Sequence, residues 1–218
     1  MSPNDQKNGS ERKQAGNRND GARLRSGIVT PLARLSTSRA NLYVGLVCDW
    51  MIGLVLLAAA VRVGGIHAAL ATVTVLIGFF VFSFSEYAAH RWLFHVMPGP
   101  LRDGHARHHI DPGGYDALPF FIPPLVMCVL AALLSLVLPL GYALLLAGAV
   151  AVSYALYGSS HTVLHIVRFR DPILRPWQEF HDLHHDHPDK NFGVTTPLWD
   201  FILGTRYRPP VQHGAHGH

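Results

Sequence analysis

The chain has few charged residues and almost no cysteine. Lys, Arg, Asp and Glu make up 15 % of its 218 residues, well below the roughly 25 % of ordinary globular domains. Its two cysteines, Cys48 and Cys128, both fall inside apolar runs, so they indicate neither a disulfide framework nor a thiolate metal site. The sequence also lacks the G-x-G-x-x-G fingerprint of flavin and nicotinamide sites. A disulfide-stapled domain and a protein with its own dinucleotide cofactor are therefore both disfavoured.

What the chain has in abundance is apolar residues, which make up 49 % of it. Four segments are long and apolar enough to predict membrane helices, and the fourth is expected to continue to His161. They run from about Leu42 to Val63, Ile66 to Tyr87, Leu118 to Leu140 and Tyr142 to Tyr157. Tight turns are predicted at Gly64-Gly65 and at residues 139–141. The expected fold class is an all-α integral membrane protein with four transmembrane helices in two hairpins.

The ends of the chain differ in charge. Residues 1–40 hold eight Lys or Arg against three acidic residues, which predicts a disordered basic cytoplasmic tail that touches lipid rather than nucleic acid. Four crossings then return residues 88–117 and 161–218 to the cytoplasm, and both termini lie there. We expect one membrane domain over residues 41–208, with a cytoplasmic histidine-rich cap, and a flexible tail over residues 209–218.

Histidine is the compositional anomaly, because its 15 copies outnumber the 14 acidic residues. Ten of them form four groups on the predicted cytoplasmic side, and most are spaced three or four apart, so that they share one face of a helix. Ten imidazoles exceed the positions around one ion, so two metal ions are predicted. The ten are His90, His95, His105, His108, His109, His161, His165, His181, His184 and His185. The remaining five, His67, His187, His213, His216 and His218, are interpreted as non-ligands, with His187 the least certain.

These motifs resemble those of a known family. E-Y-A-A-H-R-W-L-F-H, G-H-A-R-H-H, Y-G-S-S-H-T-V-L-H and F-H-D-L-H-H, closed by N-F-G-V-T-T-P-L-W-D-F-I-L-G-T, are similar to the fatty acid hydroxylase/sterol desaturase superfamily, and most similar to its fatty acid 2-hydroxylase branch. The resemblance covers roughly residues 75–208. It implies a non-heme di-iron centre, with zinc able to occupy it when isolated, held by all ten histidines, and O2 as co-substrate.

Other residues have expected roles around the centre. Glu86 and Asp182 are candidates to accept hydrogen bonds that orient imidazoles, whereas Asp200 is expected to fix the fold of the closing motif. A helix over residues 172–187 is predicted to lie along the bilayer surface, with Trp177 at the interface. The end of the fourth span is a candidate lining for an acyl-chain channel, through Ala155, Leu156, Gly158 and Ser159.

The predicted function is hydroxylation of the acyl chain of a fatty acid or lipid. Eukaryotic relatives in this branch carry a fused cytochrome b5 domain that this sequence does not resemble, so a separate electron donor is expected: a cytochrome b5-like protein, a ferredoxin or a reductase. The alternatives are a lipid or sterol desaturase, a carotenoid hydroxylase and, from another class, a membrane metal transporter. We expect a bacterial inner membrane, or the endoplasmic reticulum if the protein is eukaryotic.

Overall fold

The computed structural model describes residues 31–209 of the chain, and all regular secondary structure in this range is helical. A short helical stretch at 31–36 comes first. The other elements are α1 (Arg39–Val63), α2 (Ala68–Ala88), a π-helical extension of α2 (Ala89–Phe94), α3 (Pro100–Ile110), α4 (Ile122–Leu134), α5 (Leu140–Ile166), α6 (Leu174–Asp186) and α7 (Leu198–Ile202). The all-α prediction is confirmed for the described residues.

The predicted tails lie mostly outside the described range. Residues 1–30 and 210–218 are not described, so the prediction of disorder is not tested there. Within the range the structure differs from that prediction, because residues 31–36 are helical and α1 already begins at Arg39. The reason is a helix cap: the Ser38 hydroxyl accepts a hydrogen bond from the Asn41 amide (3.1 Å), which satisfies one of the free amides of the first turn.

Three helices are long and apolar enough to cross a membrane: α1, α2 with its extension, and α5. The first turn is built as predicted, since α1 ends at Gly64 and both Gly64 and Gly65 adopt positive φ (70° and 69°), which glycine does without steric cost. The expected continuation of the fourth apolar segment to His161 is also confirmed, because α5 runs to Ile166.

The third apolar segment differs from the prediction. Instead of one long helix over residues 118–140, it contains only the 13 residues of α4, about 20 Å of helix against about 30 Å of hydrocarbon. Pro123 and Pro124 lack amide hydrogens and are tolerated only in a first turn, so the helix begins just before them. Pro139 disfavours helical backbone at the residue that precedes it, and residues 135–138 form turns instead.

Small residues bring α1 and α5 into close contact along their length. A Cβ on Gly53 would lie 2.8 Å from a Val152 methyl, and one on Gly148 would lie 2.8 Å from a Leu57 methyl. Such small residues are typical of helix pairs in membranes, where close van der Waals packing drives association. Leu56 of α1, Met127 of α4 and Ala151 of α5 meet in the same core. The packing holds the two halves of the chain side by side.

The cap is made of α3, α6, α7 and the segments that join them. α6 buries Gln178, His181 and His184, whereas Trp177, which was predicted to lie at the membrane interface, is half-buried and donates a hydrogen bond to the Val194 carbonyl (2.6 Å). α7 packs against the side of α2 through Trp199. The cap therefore covers the end of the bundle at which both histidine-bearing long helices finish.

Candidate metal centre

Five histidines form one cluster, here called cluster A. Their ligand nitrogens all lie within 4.8 Å of one another. The Nε2 atom of His105 lies 3.0 Å from each of the Nε2 atoms of His90, His95 and His109, and the Nε2 atom of His95 lies 3.2 Å from that of His184. Cluster A therefore collects residues from the extension of α2, from α3 and from α6.

A second cluster of five, cluster B, lies beside the first. It contains His108, His161, His165, His181 and His185, with ligand nitrogens again within 4.8 Å of one another. The Nε2 atom of His165 lies 3.0 Å from that of His181 and 3.3 Å from that of His161. The rings of His109 and His185, one from each cluster, are 4.4 Å apart between centroids. All ten histidines singled out by spacing are thus brought together in two adjacent sets.

The two cap helices supply the clusters in a reciprocal way. On α3, His105 and His109 belong to cluster A and the residue between them, His108, belongs to cluster B. On α6, His181 and His185 belong to cluster B, and His184 belongs to cluster A. Residues four apart lie on the same face of a helix, whereas the third residue is rotated away from them. Each cluster is consequently completed by a ligand from the other half of the chain.

The π-helical extension of α2 explains the unusual spacing of its histidines. His90 and His95 are five residues apart, which does not match an α-helical face, so the two rings can converge only if the helix loosens. In the structure the loosening occurs over residues 89–94, where the Met97 amide donates to the Trp92 carbonyl five residues earlier (2.8 Å). This i→i+5 bonding widens the turn and directs both rings into cluster A.

The donor set in each cluster fits a metal ion. Two ligand atoms that each lie about 2.1 Å from one ion, at right angles to each other, are about 3.0 Å apart, as the Nε2 atoms are here. The Nε2 proton of His105 could serve only one of its three nitrogen contacts, so a shared cation satisfies them better than hydrogen bonds do. In cluster B, Nε2 of His108 and both ring nitrogens of His185 are buried without a hydrogen-bond partner, as metal ligands would be.

The protonation of the rings suits the same role. Burial lowers the pKa of His95 to about 4 and the pKa values of His184 and His185 to about 3, and the neighbouring histidines add to the effect at each ring. Burial also holds the pKa of His105, His108 and His181 well below the usual range. These rings are neutral at pH 7, and a neutral imidazole presents the lone pair that a metal requires.

A long apolar cavity of about 470 Å³ lies next to the clusters, within the range of small-molecule sites. Its lining comes from α2, α5, α6 and the segment between α6 and α7. The lining residues are Phe79, Phe82, Ser83, Ser153, Leu156, Ser160, Trp177, Thr195 and Thr196. Ser160 directly precedes His161 in the chain, and Trp177 lies one helical turn before His181. The cavity is therefore lined by near neighbours of two cluster B histidines, one on α5 and one on α6.

The expected channel lining is only partly reproduced. Leu156 lines the cavity, but Ala155 is fully buried against other helices. The Ser159 hydroxyl accepts a hydrogen bond from Trp50 (3.0 Å), and a Cβ on Gly158 would face Leu46. The predicted residues alternate around α5, so most of them face α1 instead of the cavity.

The fatty acid hydroxylase family model matches residues 75–205, a range that contains all ten clustered histidines. This chain belongs to the fatty acid hydroxylase family. It is 29 % identical over 142 residues to the dihydroceramide fatty acyl 2-hydroxylase of Arabidopsis thaliana, which covers 60 % of this chain and 59 % of the relative. It is 30 % identical over 146 residues to the ceramide very long chain fatty acid hydroxylase of Saccharomyces cerevisiae, covering 61 % and 38 %.

A solved structure shares the fold of this family member. The hydroxylase domain visible in the full-length scs7p structure superimposes with a TM-score of 0.66 at 23 % sequence identity, covering 82 % of this chain and 70 % of that one. The human fatty acid 2-hydroxylase is 30 % identical over 145 residues, which is 60 % of this chain and 38 % of that protein. The match thus spans between about two fifths and three fifths of these curated relatives.

The two carboxylates expected to orient imidazoles contact other groups in the structure. Glu86 accepts hydrogen bonds from the backbone amides of Val194 and Thr195 (2.7 and 2.9 Å) and from the Thr195 hydroxyl. Asp182 accepts one from Arg168 (2.7 Å) in a half-exposed ion pair. Neither carboxylate hydrogen-bonds an imidazole. The orienting acceptors in the structure are instead backbone carbonyls: Phe192 for Nδ1 of His90 and Lys190 for Nδ1 of His184.

Sequence reasoning assigned no role to several residues that hold the centre. Gln178 is buried, and its amide donates to the carbonyls of Leu164 and Val167 (2.7 and 2.6 Å) at the end of α5. Asn191 is buried with φ of 54°. A backbone carbonyl leaves no signature in the residue type that carries it, so the only available signal was the closing motif that begins at Asn191.

The other histidines lie outside both clusters where they are described. His67 precedes α2 at the opposite end of the bundle, where its backbone amide donates a hydrogen bond to the Tyr142 hydroxyl oxygen (2.9 Å). The His187 ring stacks on Tyr207, with centroids 4.2 Å apart. His213, His216 and His218 fall outside the described residues.

Proposed function

We propose that this chain hydroxylates the acyl chain of a membrane lipid at a pair of metal ions held by clusters A and B. In the overall reaction one C–H bond and O2 react with two electrons and two protons, and the products are one C–OH group and one water molecule. The observation that carries the proposal is the pair of reciprocal five-histidine clusters beside an apolar cavity. Family membership supports the reaction class, and the printed names of the relatives support a fatty acyl substrate.

We propose iron for both positions, with zinc as an occupant that would bind without supporting turnover. All-imidazole clusters suit iron, copper and zinc alike, but zinc has no redox chemistry. A bound pair of redox ions would supply O2 activation and hydrogen abstraction, which amino-acid side chains cannot perform on an unactivated C–H bond. The ligands would be His90, His95, His105, His109 and His184 for one ion, and His108, His161, His165, His181 and His185 for the other.

The chain itself binds and orients the substrate in this proposal. Phe79, Phe82 and Leu156 offer an apolar wall to the hydrocarbon, and Ser160 and Thr195 add polar side chains to the lining. The Phe192 ring packs 5.5 to 5.9 Å from the rings of His90, His95 and His184. That contact excludes water from one side of cluster A.

Access from the bilayer is supported by the position of α7. Trp199 packs on Phe80 and Phe84 of α2 (centroids 5.2 and 4.8 Å apart), two to three helical turns before His90. Phe201 and Ile202 of α7 are more than half exposed. Because this exposed apolar surface continues the lipid-facing side of α2, we propose that α7 dips into the cytoplasmic leaflet beside the cavity, whose lining includes Phe79 and Thr196.

We further propose that the chain crosses the membrane four times even though α4 is short. At the histidine end the Asn41 side chain pairs with the Leu118 carbonyl and the Phe120 amide (both 2.9 Å). At the other end Gly141 lies against the Gly64 carbonyl. Residues 118–141 therefore traverse about the same depth as residues 41–64, which span about 35 Å as helix.

Orientation and localisation follow from charge. Among the Lys and Arg of residues 31–209, only Arg62 lies at the turn end of the bundle, and the positive-inside rule then favours a cytoplasmic cap and cytoplasmic termini. We propose a multi-pass protein of a bacterial inner membrane, or of the endoplasmic reticulum if it is eukaryotic. Electrons would come from a separate cytochrome b5-like protein, ferredoxin or reductase, because the 218 residues contain no flavin or nicotinamide fingerprint.

The test is mass analysis of lipids from cells that express the chain, compared with cells that express His181→Ala. A lipid acyl chain that gains one oxygen atom only with the unmodified chain supports the proposal. Loss of two hydrogens without added oxygen would instead identify a desaturase, and an oxygenated ring would identify a carotenoid hydroxylase. Unchanged lipids together with metal uptake into vesicles would replace the enzyme by a transporter.

A further inference from the structure

Two buried carboxyl groups accept hydrogen bonds from four consecutive backbone amides beside cluster A. Asp200 accepts hydrogen bonds from the first two amides (2.9 and 2.8 Å) and Glu86 from the last two (2.7 and 2.9 Å). The segment held in this way, residues 192–195, is called the clamped loop. Asp200 belongs to α7 and Glu86 to α2, and both side chains are almost completely buried. Each carboxyl group thus satisfies two amides of the loop at once, so the loop backbone is firmly fixed.

The packing leaves the clamped loop little room to move. A Cβ on Gly193 would lie 2.1 Å from the Thr196 carbonyl oxygen and 3.0 Å from Asp200 Oδ2. Asn191, just before the loop, is held by donation from its side chain to the Phe180 carbonyl (3.1 Å) and by acceptance from the Tyr207 amide (2.7 Å). The backbone from residue 190 to residue 195 is thus constrained on several sides.

This constrained backbone orients two rings of cluster A. The Phe192 carbonyl accepts from Nδ1 of His90, and the Lys190 carbonyl accepts from Nδ1 of His184 (2.7 Å). A carbonyl can only accept, so both rings carry their proton on Nδ1 and direct the Nε2 lone pair into the cluster. Tautomer and ring direction are therefore set before any ion binds, as outer hydrogen bonds to metal-bound histidines commonly do.

Cluster B has no equivalent support. Within residues 31–209, no backbone carbonyl or carboxylate forms a hydrogen bond with a ring nitrogen of its five histidines. Nδ1 of His181 and both ring nitrogens of His185 are buried with no partner. Within the described residues, the nitrogen-to-nitrogen contacts of its rings run only among the Nε2 atoms of His161, His165 and His181. An ion that binds there must itself select the tautomers and the ring angles.

From this asymmetry we infer that the two metal positions are unequal. Cluster A binds its ion more tightly and fills first, cluster B holds the more weakly bound ion, and Glu86 and Asp200 act as positioning residues for cluster A through the clamped loop. The inference rests on the metal-dependent function proposed above. Loss of outer hydrogen bonds typically lowers metal affinity 10- to 100-fold, and we expect the two affinities to differ by at least the lower of these factors.

The experiment is a titration of the metal-free full chain in detergent with Co²⁺, followed by calorimetry and by the visible absorption of the bound ion. Two phases of one equivalent each are expected, with dissociation constants at least about 10-fold apart. Glu86→Met keeps the length of the side chain but accepts no hydrogen bond from the Val194 and Thr195 amides, and it should weaken the tight phase about 10- to 100-fold while leaving the other phase unchanged. Glu179→Met, on the exposed face of α6, is the matched control and should change neither phase.

Ligand variants assign the phases. His90→Ala should remove the tight phase and His161→Ala the weak one. A single phase of two equivalents in the unmodified chain would overturn the inference without any variant. An equal effect of Glu86→Met on both phases would also overturn it, because a merely structural role would weaken both clusters alike. If Glu86→Met does not fold, Asp200→Asn provides the comparison, because the two Asp200 oxygens accept from different amides of the loop.

The outcome is separable from that of the proposed function. Two phases without any oxygenated lipid would leave the unequal clusters standing and remove the hydroxylase proposal. Oxygenated lipid together with a single uniform binding phase would support the hydroxylase proposal and overturn the inference of unequal clusters.

Discussion

Gln178 joins the two halves of cluster B, and its replacement by methionine gives the sharpest test of how the cap is held. Its amide nitrogen donates to the Leu164 and Val167 carbonyls at the end of α5, and its oxygen accepts from the Phe169 amide (3.0 Å). Gln178 itself lies on α6. One buried side chain therefore ties the helix of His165 to the helix of His181.

The expected cost follows from what Gln178→Met leaves behind. The side chain keeps its length and approximate volume but loses all three hydrogen bonds. The Leu164 carbonyl belongs to a fully buried residue, and leaving it unpaired costs about 1–3 kcal/mol. Val167 is exposed, so water can replace part of the two other bonds, which we count at about 0.5–1.5 kcal/mol each. The sum is about 2–6 kcal/mol.

The assay is the thermal unfolding midpoint in detergent together with the metal content of the purified protein. Gln178→Met should unfold at a clearly lower temperature and should lose metal from cluster B, so that its content falls towards one ion per chain. Glu179→Ala is the control on the same helix, since its exposed pair with Arg175 is worth about 0–1 kcal/mol. An unchanged midpoint and an unchanged metal content in Gln178→Met would refute the reasoning.

Three further predictions concern ligands, packing and pH. His184→Ala on α6 and His108→Ala on α3 should each abolish lipid oxidation, and each should lower metal content by about one ion per chain. Full activity in either variant would remove that residue from the ligand set. Gly148→Val should lower the unfolding midpoint, because its Cβ would lie 2.8 Å from a Leu57 methyl and overpacking costs about 1–3 kcal/mol; Gly45→Ala, whose Cβ would meet nothing closer than 3.8 Å, should not. In the metal-free chain the pKa of His184 is about 3 in the folded state, against 6.5 for the free side chain. The folded state therefore binds fewer protons than the unfolded state, and the free energy of unfolding decreases as pH falls below about 6.5. His184 alone contributes about 1.4 kcal/mol of that loss between pH 7.5 and pH 5.5, and a midpoint that does not fall over this range would contradict the assignment of a neutral ring.

The histidine positions could be predicted from sequence because their spacing is a local property of a helix. Residues three and four apart face one direction, which selected eight of the ten, whereas His90 and His95, five apart, converge only because the helix loosens between them. The division into clusters was not predictable, because it depends on where α3 and α6 sit relative to each other. Whether His108 joins His109 or His161 is decided by that tertiary arrangement.

The fold shows a similar limit. Apolar composition predicted the three long helices, and glycine and proline predicted the turns between them. The same composition predicted too long a helix for the third segment, because hydropathy does not take into account that Pro123 and Pro124 restrict where a helix can begin. It also could not separate residues of α5 that line the cavity from those that touch α1, since both surfaces are apolar. The carbonyls of residues 190 and 192 that orient imidazoles could not be predicted from the sequence, because any residue type can supply a backbone carbonyl.

The reciprocal placement of His108 and His184 has a consequence for assembly. Neither half of the polypeptide supplies all five ligands of a cluster, so each bound ion would link the first half to the second. Two fragments made by cutting between residues 111 and 117 should therefore reassociate far better with metal than without it, because ion binding and docking of the halves would be a single thermodynamic event.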